Sequence, residues 1–218
     1  RKGNRIMKKL EFLVQVLGMV GTNTYTCFHK ENRECIIVDP ADEASEIMKQ
    51  ISQNHLLPKA IFLTHGHFDH SQAVDELRKE YGIKVYASAE EKSLLEDPNA
   101  NAIWDFVHQR KKVVADEYLK DGAKVFFLDC EWVMMATPGH TKGSCCYYCE
   151  SEDILFSGDT LFRESYGRVD LPGGSQIEIE DSIRGKLFQL PERTLVLPGH
   201  GGATTIEYEK LHNPLAAN

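Results

Sequence analysis

The chain has 218 residues, of which 42% are hydrophobic and 27% charged, a composition typical of a globular protein with one substantial core. Its formal net charge is −8, so the chain has no excess of positive charge, which counts against nucleic acid or an anionic membrane as the main partner. No apolar run reaches the roughly 18 residues that a membrane-spanning helix needs, so a cytoplasmic protein without a signal peptide is expected.

In the first half of the chain, β-rich runs alternate with helical patterns. Strands are predicted over residues 12–17, 24–28, 35–38, 60–64 and 84–87. Helices are predicted over residues 41–54, 71–81 and 89–96. Residues 97–120 show no clear pattern. They are interpreted as a substrate-shaping loop with Trp104 and Tyr118, although Trp104 could equally belong to the core.

The second half repeats this style, with strands predicted over 124–128, 131–135, 144–149, 154–157 and 194–197 and a helix over 177–190. Two β-rich halves, each followed by helices, favour an α+β fold in which two mixed sheets pack face to face with helices outside, an αββα sandwich. Other α+β layouts stay open on pattern alone. No repeat or linker divides the chain, so residues 7–218 are predicted to form one domain, and residues 1–6 before Met7 to be a remnant outside it.

The six cysteines are predicted to be buried small hydrophobic residues in a reducing cytoplasm. Only Cys146 and Cys149 have CxxC spacing, and they lie in a strand-like run. Residues three apart on a strand point to opposite faces, so this pair is expected neither to chelate one metal nor to form an easy disulfide.

The motif THGHFDH, residues 64–70, places His65, His67, Asp69 and His70 directly after a predicted strand. Histidine and aspartate are ligands that suit Zn²⁺, Fe²⁺ and Mn²⁺. In an extended segment the first two histidines can face one metal. Asp69 and His70 then turn into the following helix and can face a second, so the motif predicts a two-metal site.

Three further ligand-type residues, His140, Asp159 and His200, follow predicted strands beside a glycine that permits a sharp turn. Each of these short motifs alone could be a polar turn or a helix cap. Because loops at one edge of a sheet sandwich lie close together, their recurrence at strand ends predicts that they complete the metal site. The other histidines, His29, His55, His108 and His212, are expected to face solvent.

The succession THGHFDH, TPGHT, SGDTLF and LPGHG resembles that of the metallo-β-lactamase fold superfamily, and residues 36–42, 158–175 and 197–214 are similar to its glyoxalase II-like (hydroxyacylglutathione hydrolase) branch. The resemblance implies an αββα sandwich holding two divalent metal ions, most readily zinc, with iron or manganese as alternatives. It implies that the first metal is bound by His65, His67 and His140, the second by Asp69, His70 and His200, and that Asp159 bridges them.

The same resemblance implies hydrolysis of a small-molecule thioester of the S-lactoylglutathione type by a metal-bridging hydroxide, with Asp69 and Asp159 as catalytic carboxylates. Asp39 would orient a ligand histidine through its second nitrogen, or else simply form the turn before Pro40. Arg168 would face the substrate, or else pair with Glu164 or Asp170.

Some residues depart from glyoxalase II. Asp170 and Gly202 stand where that enzyme has tyrosines, and no counterpart of its C-terminal helical domain is expected, so the thiol carrier stays open. The alternatives are a persulfide dioxygenase with one iron held by His65, His140 and Asp159, a lactonase or other ester or amide hydrolase, and a non-catalytic metal-binding module. The oligomeric state is not indicated.

Overall fold

The structure is a computed structural model that describes residues 8–101 and 111–216. Trp104 and His108 therefore lie outside the described residues. The first sheet contains six strands in the order β1 to β6: β1 (Leu10–Leu17), β2 (Thr22–His29), β3 (Glu34–Val38), β4 (Leu57–Phe62), β5 (Lys84–Ser88) and β6 (Glu117–Leu119). The strands β1, β2 and β3 pair antiparallel, and β3 to β6 pair parallel.

The remaining strands form a second six-stranded sheet and a small hairpin: β7 (Lys124–Phe127), β8 (Cys130–Ala136), β9 (Cys145–Cys149), β10 (Ile154–Gly158), β11 (Leu161–Phe162), β12 (Ser165–Tyr166), β13 (Leu195–Pro198) and β14 (Thr204–Thr205). The sheet runs in the order β14-β13-β10-β9-β8-β7, and β11 pairs with β12. In this sheet the β10–β13 pair is parallel and the other pairs are antiparallel. Both sheets are therefore mixed.

Helices cover the outer face of each sheet: α1 (Ala44–Gln53), α2 (Val74–Tyr81) and α3 (Lys92–Glu96) on the first, and α4 (Gln176–Asp181) and α5 (Ile206–His212) on the second. Between the sheets lies an aromatic core in which Phe62 stacks on Tyr147 and Trp132 stacks on Phe156. Ile47 and Leu77 pack under the helices of the first sheet, away from this core. The four-layer αββα sandwich predicted from the sequence is therefore confirmed.

Several local predictions differ from the structure. The helix predicted over 177–190 changes pitch: α4 is followed by a π-helical segment, Ser182–Lys186, and a 3-10 turn, Leu187–Gln189. Likewise, Ala89–Glu91 is a 3-10 turn, and α3 begins only at Lys92. The short strand β6 lies within the region that showed no pattern, because three residues are too few to display a period.

The prediction for His29 was wrong. This side chain is 5% exposed, and its Nδ1 accepts hydrogen bonds from the backbone N–H groups of Glu31 and Asn32. It therefore stabilises the turn between β2 and β3, whereas His55 and His212 are exposed as expected. Among the described residues, no helix is long and apolar enough to cross a membrane.

Candidate metal centre

The predicted ligands all lie just beyond the carboxyl ends of strands, at one edge of the sandwich. His65 follows β4, and His140 follows β8. Asp159 comes directly after β10, and His200 comes two residues after β13. Because β4 belongs to the first sheet and the other three strands to the second, the site forms where the two sheets meet.

The first group of side chains is His65, His67 and His140, each with a ligand atom within 4.8 Å of the others. The closest pair is His67 Nδ1 and His140 Nε2, 3.0 Å apart. All three rings are buried, at 1–3% exposure. On the far side of its ring, His140 Nδ1 lies 2.8 Å from the backbone carbonyl of Arg168, which orients the imidazole.

The second group is Asp69, His70 and His200, which also offers three ligand atoms within 4.8 Å of one another. Asp159 lies between the two groups. Its Oδ1 is 3.3 Å from His70 Nε2, and its Oδ2 is 3.3 Å from His200 Nε2 and 3.5 Å from His140 Nε2. The structure thus brings all seven predicted side chains together, with Asp159 where a shared ligand would be needed.

Asp39 contacts the second group through His70. It directly follows β3 in the left-handed conformation (φ 48°), so it does form a turn before Pro40. Its carboxylate also lies 2.9 Å from His70 Nδ1 and accepts hydrogen bonds from the backbone N–H and hydroxyl of Thr64. The turn therefore aims the carboxylate at His70, and the role of Asp39 in orienting a ligand histidine stays a prediction.

A glycine in the LPGHG motif is required by close packing. A Cβ at Gly199 would lie 2.2 Å from Asp159 Oδ1 and 2.7 Å from His70 Cε1, both closer than real Cβ contacts. The backbone of Gly199 therefore passes directly against two of the predicted ligands, which no residue with a side chain could do.

The electrostatics divide the cluster into two kinds of histidine. Burial, reinforced by neighbouring histidines, lowers the pKa of His65 well below its usual range and that of His67 to about 3. Burial also opposes charge on His200, but hydrogen bonds with Asp159 and Asp69 raise its pKa to about 10. Likewise, the three carboxylates around His70 overcome its burial and raise its pKa.

The carboxylates respond to the same histidines. Burial would raise the pKa of Asp69 and of Asp159, but the charge of His70 lowers both well below their usual range. Both carboxylates are therefore ionised, and His65 and His67 are neutral. For these four side chains, these are the protonation states in which carboxylate and imidazole bind metals. His70 and His200, whose pKa values are raised, have to release a proton when they bind a cation.

Three atoms at the centre are buried and make no hydrogen bond of good geometry among the described residues: His65 Nε2, His70 Nε2 and Asp159 Oδ1, of which the last two lie 3.3 Å apart. An unsatisfied buried polar atom costs about 1–3 kcal/mol, so native proteins rarely leave several together. A divalent cation would satisfy all three at once. The donor set, imidazole nitrogens and carboxylate oxygens, therefore fits divalent metals such as zinc, iron or manganese.

A cavity of about 320 Å³ opens onto the cluster. Its walls beyond the predicted ligands are mainly apolar: Val20, Phe162, Tyr166 and Leu171. A larger cleft of about 890 Å³ lies elsewhere, beside the first residues of β1 and β10, and no histidine lines it. Of these two cavities, only the smaller is lined by the convergent ligand-type side chains, so it is the candidate site.

Arg168 lines this cavity but is about half exposed, and its guanidinium forms two hydrogen bonds of 2.7 Å with Asp170. Of the two ion pairs considered from the sequence, the structure forms the one with Asp170. Substrate contact by Arg168 stays a prediction.

Sequence reasoning missed some residues of the site. The hairpin of β11 and β12 supplies the cavity walls Phe162 and Tyr166, and only the GDTLFRESYGR linker signalled that this stretch matters. It also missed Glu91, a buried carboxylate bonded to both histidine loops. Nothing in the charged run AEEK distinguishes that glutamate from its exposed neighbours.

The cysteines take no part in the site. All six are buried and free. Cys146 belongs to the outer core under α4, whereas Cys149 belongs to the core between the sheets, so the CxxC pair does face opposite sides of β9.

Comparison with known proteins identifies a common family. A family model described as the metallo-beta-lactamase superfamily matches residues 20–200. The chain is 38% identical over 200 residues to the probable metallo-hydrolase YqgX of Bacillus subtilis, covering 91% of this chain and 93% of that protein. It is 31% identical over 186 residues to the hydroxyacylglutathione hydrolase GloC of Haemophilus influenzae, covering 84% of this chain and 88% of that protein.

Solved structures agree with these relatives. The BLEG-1 B3 metallo-beta-lactamase superposes with a TM-score of 0.90 at 38% identity, covering 95% of this chain and 100% of that one. TTHA1623 in a di-iron-bound form superposes with a TM-score of 0.82 at 33% identity, covering 93% of this chain and 98% of that one.

Proposed function

Because the chain belongs to the metallo-beta-lactamase superfamily, we propose that it is a metal-dependent hydrolase whose substrates are small-molecule thioesters. Family membership and the buried His/Asp clusters support the metal-dependent hydrolase. The thioester class is supported by the similarity to the hydroxyacylglutathione hydrolase GloC and by the chemistry of the cavity. The observation that carries the proposal is the convergence of seven ligand-type side chains around three buried atoms that make no hydrogen bond of good geometry among the described residues.

Two metals are proposed, one held by His65, His67 and His140 and the other by Asp69, His70 and His200, with Asp159 shared. When bound, such cations lower the pKa of water and polarise a carbonyl oxygen. Zinc is the proposed metal, and the di-iron-bound form of TTHA1623 makes iron the first alternative to test. Manganese suits the same ligands.

The chain's own residues favour a thioester over an amide. Apart from the predicted ligands, the described residues that line the cavity include no carboxyl or imidazole group that could act as a general acid. An amine leaving group needs a proton from such an acid, whereas a thiolate, with a pKa near 8.5, can leave unprotonated. The apolar wall of Phe162 and Leu171 suits the carbon chain of an acyl group.

A mononuclear iron dioxygenase would need only His65, His140 and Asp159. His67 joins the first group, and Asp69, His70 and His200 form a second group of ligand-type side chains, none of which such an enzyme would require. We therefore rank hydrolysis first. The role of Asp69 and Asp159 as catalytic carboxylates belongs to this proposal.

The test is a kinetic screen of the purified, metal-loaded chain combined with elemental analysis. The substrates are S-lactoylglutathione, a second thioester, a lactone and a cephalosporin. We expect the thioesters to have the highest kcat/KM, two metals per chain, and loss of metal and activity together in Asp159→Ala. A preparation with two metals and no thioester turnover would refute the proposal, as would an Asp159→Ala variant with normal turnover. Oxygen consumption with glutathione persulfide and one iron per chain would favour the dioxygenase.

A further inference from the structure

A buried glutamate that belongs to neither ligand group connects the two loops that carry the first group. Glu91 is 2% exposed and ends the 3-10 turn Ala89–Glu91, between β5 and α3. This segment supplies no ligand-type side chain to the cluster. Its carboxylate is nevertheless in contact with the His65–His67 loop on one side and the His140 loop on the other.

The contacts use both carboxylate oxygens. Oε2 accepts hydrogen bonds from the backbone N–H of Gly66 at 3.0 Å and from the Thr141 hydroxyl at 2.5 Å. Oε1 accepts from the backbone N–H of Gly143 at 3.2 Å. Gly66 lies between His65 and His67, and Thr141 follows His140. One side chain therefore bonds to the backbone between His65 and His67 and, in the His140 loop, to the Thr141 hydroxyl and the Gly143 backbone.

The backbone packing is close on both sides: the His140 loop lies against the Ala89–Glu91 turn, and the His65–His67 loop lies against α3, which follows it. A Cβ at Gly143 would fall 2.4 Å from the backbone nitrogen of Glu91. A Cβ at Gly66 would fall 3.1 Å from the backbone nitrogen of Leu95. With so little space, the two loops cannot shift relative to each other without breaking the hydrogen bonds to Glu91.

We propose that Glu91 is a positioning residue for the first metal: it sets the separation between the His65–His67 pair and His140. The distance it controls is the 3.0 Å between His67 Nδ1 and His140 Nε2, which brings both nitrogens to one point. Asp39 has the corresponding position for the second group, where its carboxylate contacts His70 directly. The proposal rests on metal binding alone, and hydrolysis plays no part in it.

The number of acceptor oxygens on the side chain at position 91 predicts a graded loss of zinc affinity. Three donors converge on the carboxylate, which has two acceptor oxygens. In Glu91→Gln one oxygen remains, and the amide N–H group that replaces the other faces a donor. In Glu91→Ala no acceptor remains. Zinc affinity at the first site should therefore fall in the order wild type, Glu91→Gln, Glu91→Ala.

The experiment measures zinc affinity of the full chain by competition with a chromophoric chelator, and assigns each site by NMR of the histidine rings. We expect Glu91→Ala to weaken one of two zinc sites by about ten- to a hundredfold, the usual effect of removing a group that orients ligands. The ring signals of His65, His67 and His140 should lose their response to zinc at limiting concentration, while those of His70 and His200 keep it. Glu91→Gln preserves the side-chain volume and carries the test if the alanine variant does not fold.

Glu152→Gln is the matched control. Glu152 is also buried and accepts two backbone hydrogen bonds, from Lys9 and Leu10, but it lies before β10, at the opposite end from Asp159. It should leave both zinc affinities within twofold of wild type. The proposal fails if the Glu91 variants lose thermal stability while both affinities stay unchanged, or if the loss is confined to His70 and His200.

Discussion

The Asp39 carboxylate lies 2.9 Å from His70 Nδ1, on the opposite side of the ring from the buried Nε2. The neighbouring carboxylates raise the pKa of His70, so its ring has to release one proton before it can bind a cation. Because a carboxylate accepts hydrogen bonds, the contact with Asp39 favours keeping the remaining proton on Nδ1. The lone pair of Nε2 then faces Asp159, 3.3 Å away, where a metal would bind. The position of one turn residue thereby determines which nitrogen of His70 can act as a ligand.

Asp39→Asn should change that tautomer. An asparagine amide can donate to Nδ1, which moves the ring proton to Nε2 and blocks the ligand position. Zinc affinity at the second site should fall by about ten- to a hundredfold, the usual range for lost orientation of a ligand histidine. ¹⁵N NMR of His70, recorded at a pH at which the ring is neutral, reads the tautomer directly. Asp121→Asn, at an exposed carboxylate bonded to the Ala136 N–H, should change neither property, and an unaltered His70 in Asp39→Asn would contradict the interpretation.

Gly199→Ala should disrupt the site by direct collision. The added methyl group would lie 2.2 Å from Asp159 Oδ1, so either the carboxylate or the β13 turn has to move. We expect metal content to fall below half of the wild-type value by elemental analysis, with the fold retained by circular dichroism. Gly202→Ala is the control in the same loop, because a Cβ there meets nothing within 4 Å. Equal metal content in the two variants would show that the site tolerates the shift.

Trp132→Ala should destabilise the core between the sheets. The indole is fully buried, stacks on Phe156 and meets the ring of Phe62 edge-on. Replacing a buried tryptophan by alanine costs about 3–5 kcal/mol of unfolding free energy. Phe126→Ala, at a ring that is 69% exposed, should cost less than about 0.5 kcal/mol. Urea denaturation of both variants measures the difference, and similar midpoints would contradict the layer assignment.

Glu91 should also make the stability of the metal-free protein depend on pH. Burial, partly offset by hydrogen bonds from Thr141, Gly66 and Gly143, raises its pKa from 4.5 to about 7. The folded state therefore holds a proton that the unfolded state has released. This contribution is fully present below pH 4.5 and is lost as the pH rises through 7. At 1.36 kcal/mol per unit it amounts to about 3 kcal/mol.

Glu91→Gln removes this titration, so the unfolding free energy of wild type minus that of the variant should fall by about 2–3 kcal/mol between pH 5 and pH 8. Denaturation in the presence of a chelator measures it, and the other groups of the site cancel in the difference. A difference that is constant over this range, or that grows with pH, would contradict the assigned shift.

The layers of the fold were predictable because the spacing of apolar residues along a strand or helix, and the turn residues between elements, are visible within a short stretch of sequence. The ligand cluster was predictable because four of its members lie within six residues, at 65–70, and the others repeat one strand–glycine–ligand pattern. The contacts that organise the site were less predictable. Glu91 acts on residues 25 and 52 positions away, and no local pattern in its own segment records those donors.

Other differences have similar causes. His29 looked like a surface histidine because its neighbours are polar, yet its ring closes a tight turn and is buried by it. The pitch change after α4 left no trace in the apolar spacing, because Ile183 and Leu187 still face the core. Short elements and long-range hydrogen bonds thus depend on tertiary contacts, which the local sequence pattern does not reveal.

Each group combines loops that follow strands of both sheets. His65 and His67 follow a strand of the first sheet and His140 one of the second, and the same holds for Asp69 and His70 with His200. A cation held there would act as a crosslink between the two halves of the sandwich. Metal affinity then adds directly to folding free energy, and the folded lifetime of the protein would rise and fall with the supply of free metal. Loss of the metal would then weaken the contact between the two sheets and expose the chain to proteolysis, as well as stopping its chemistry.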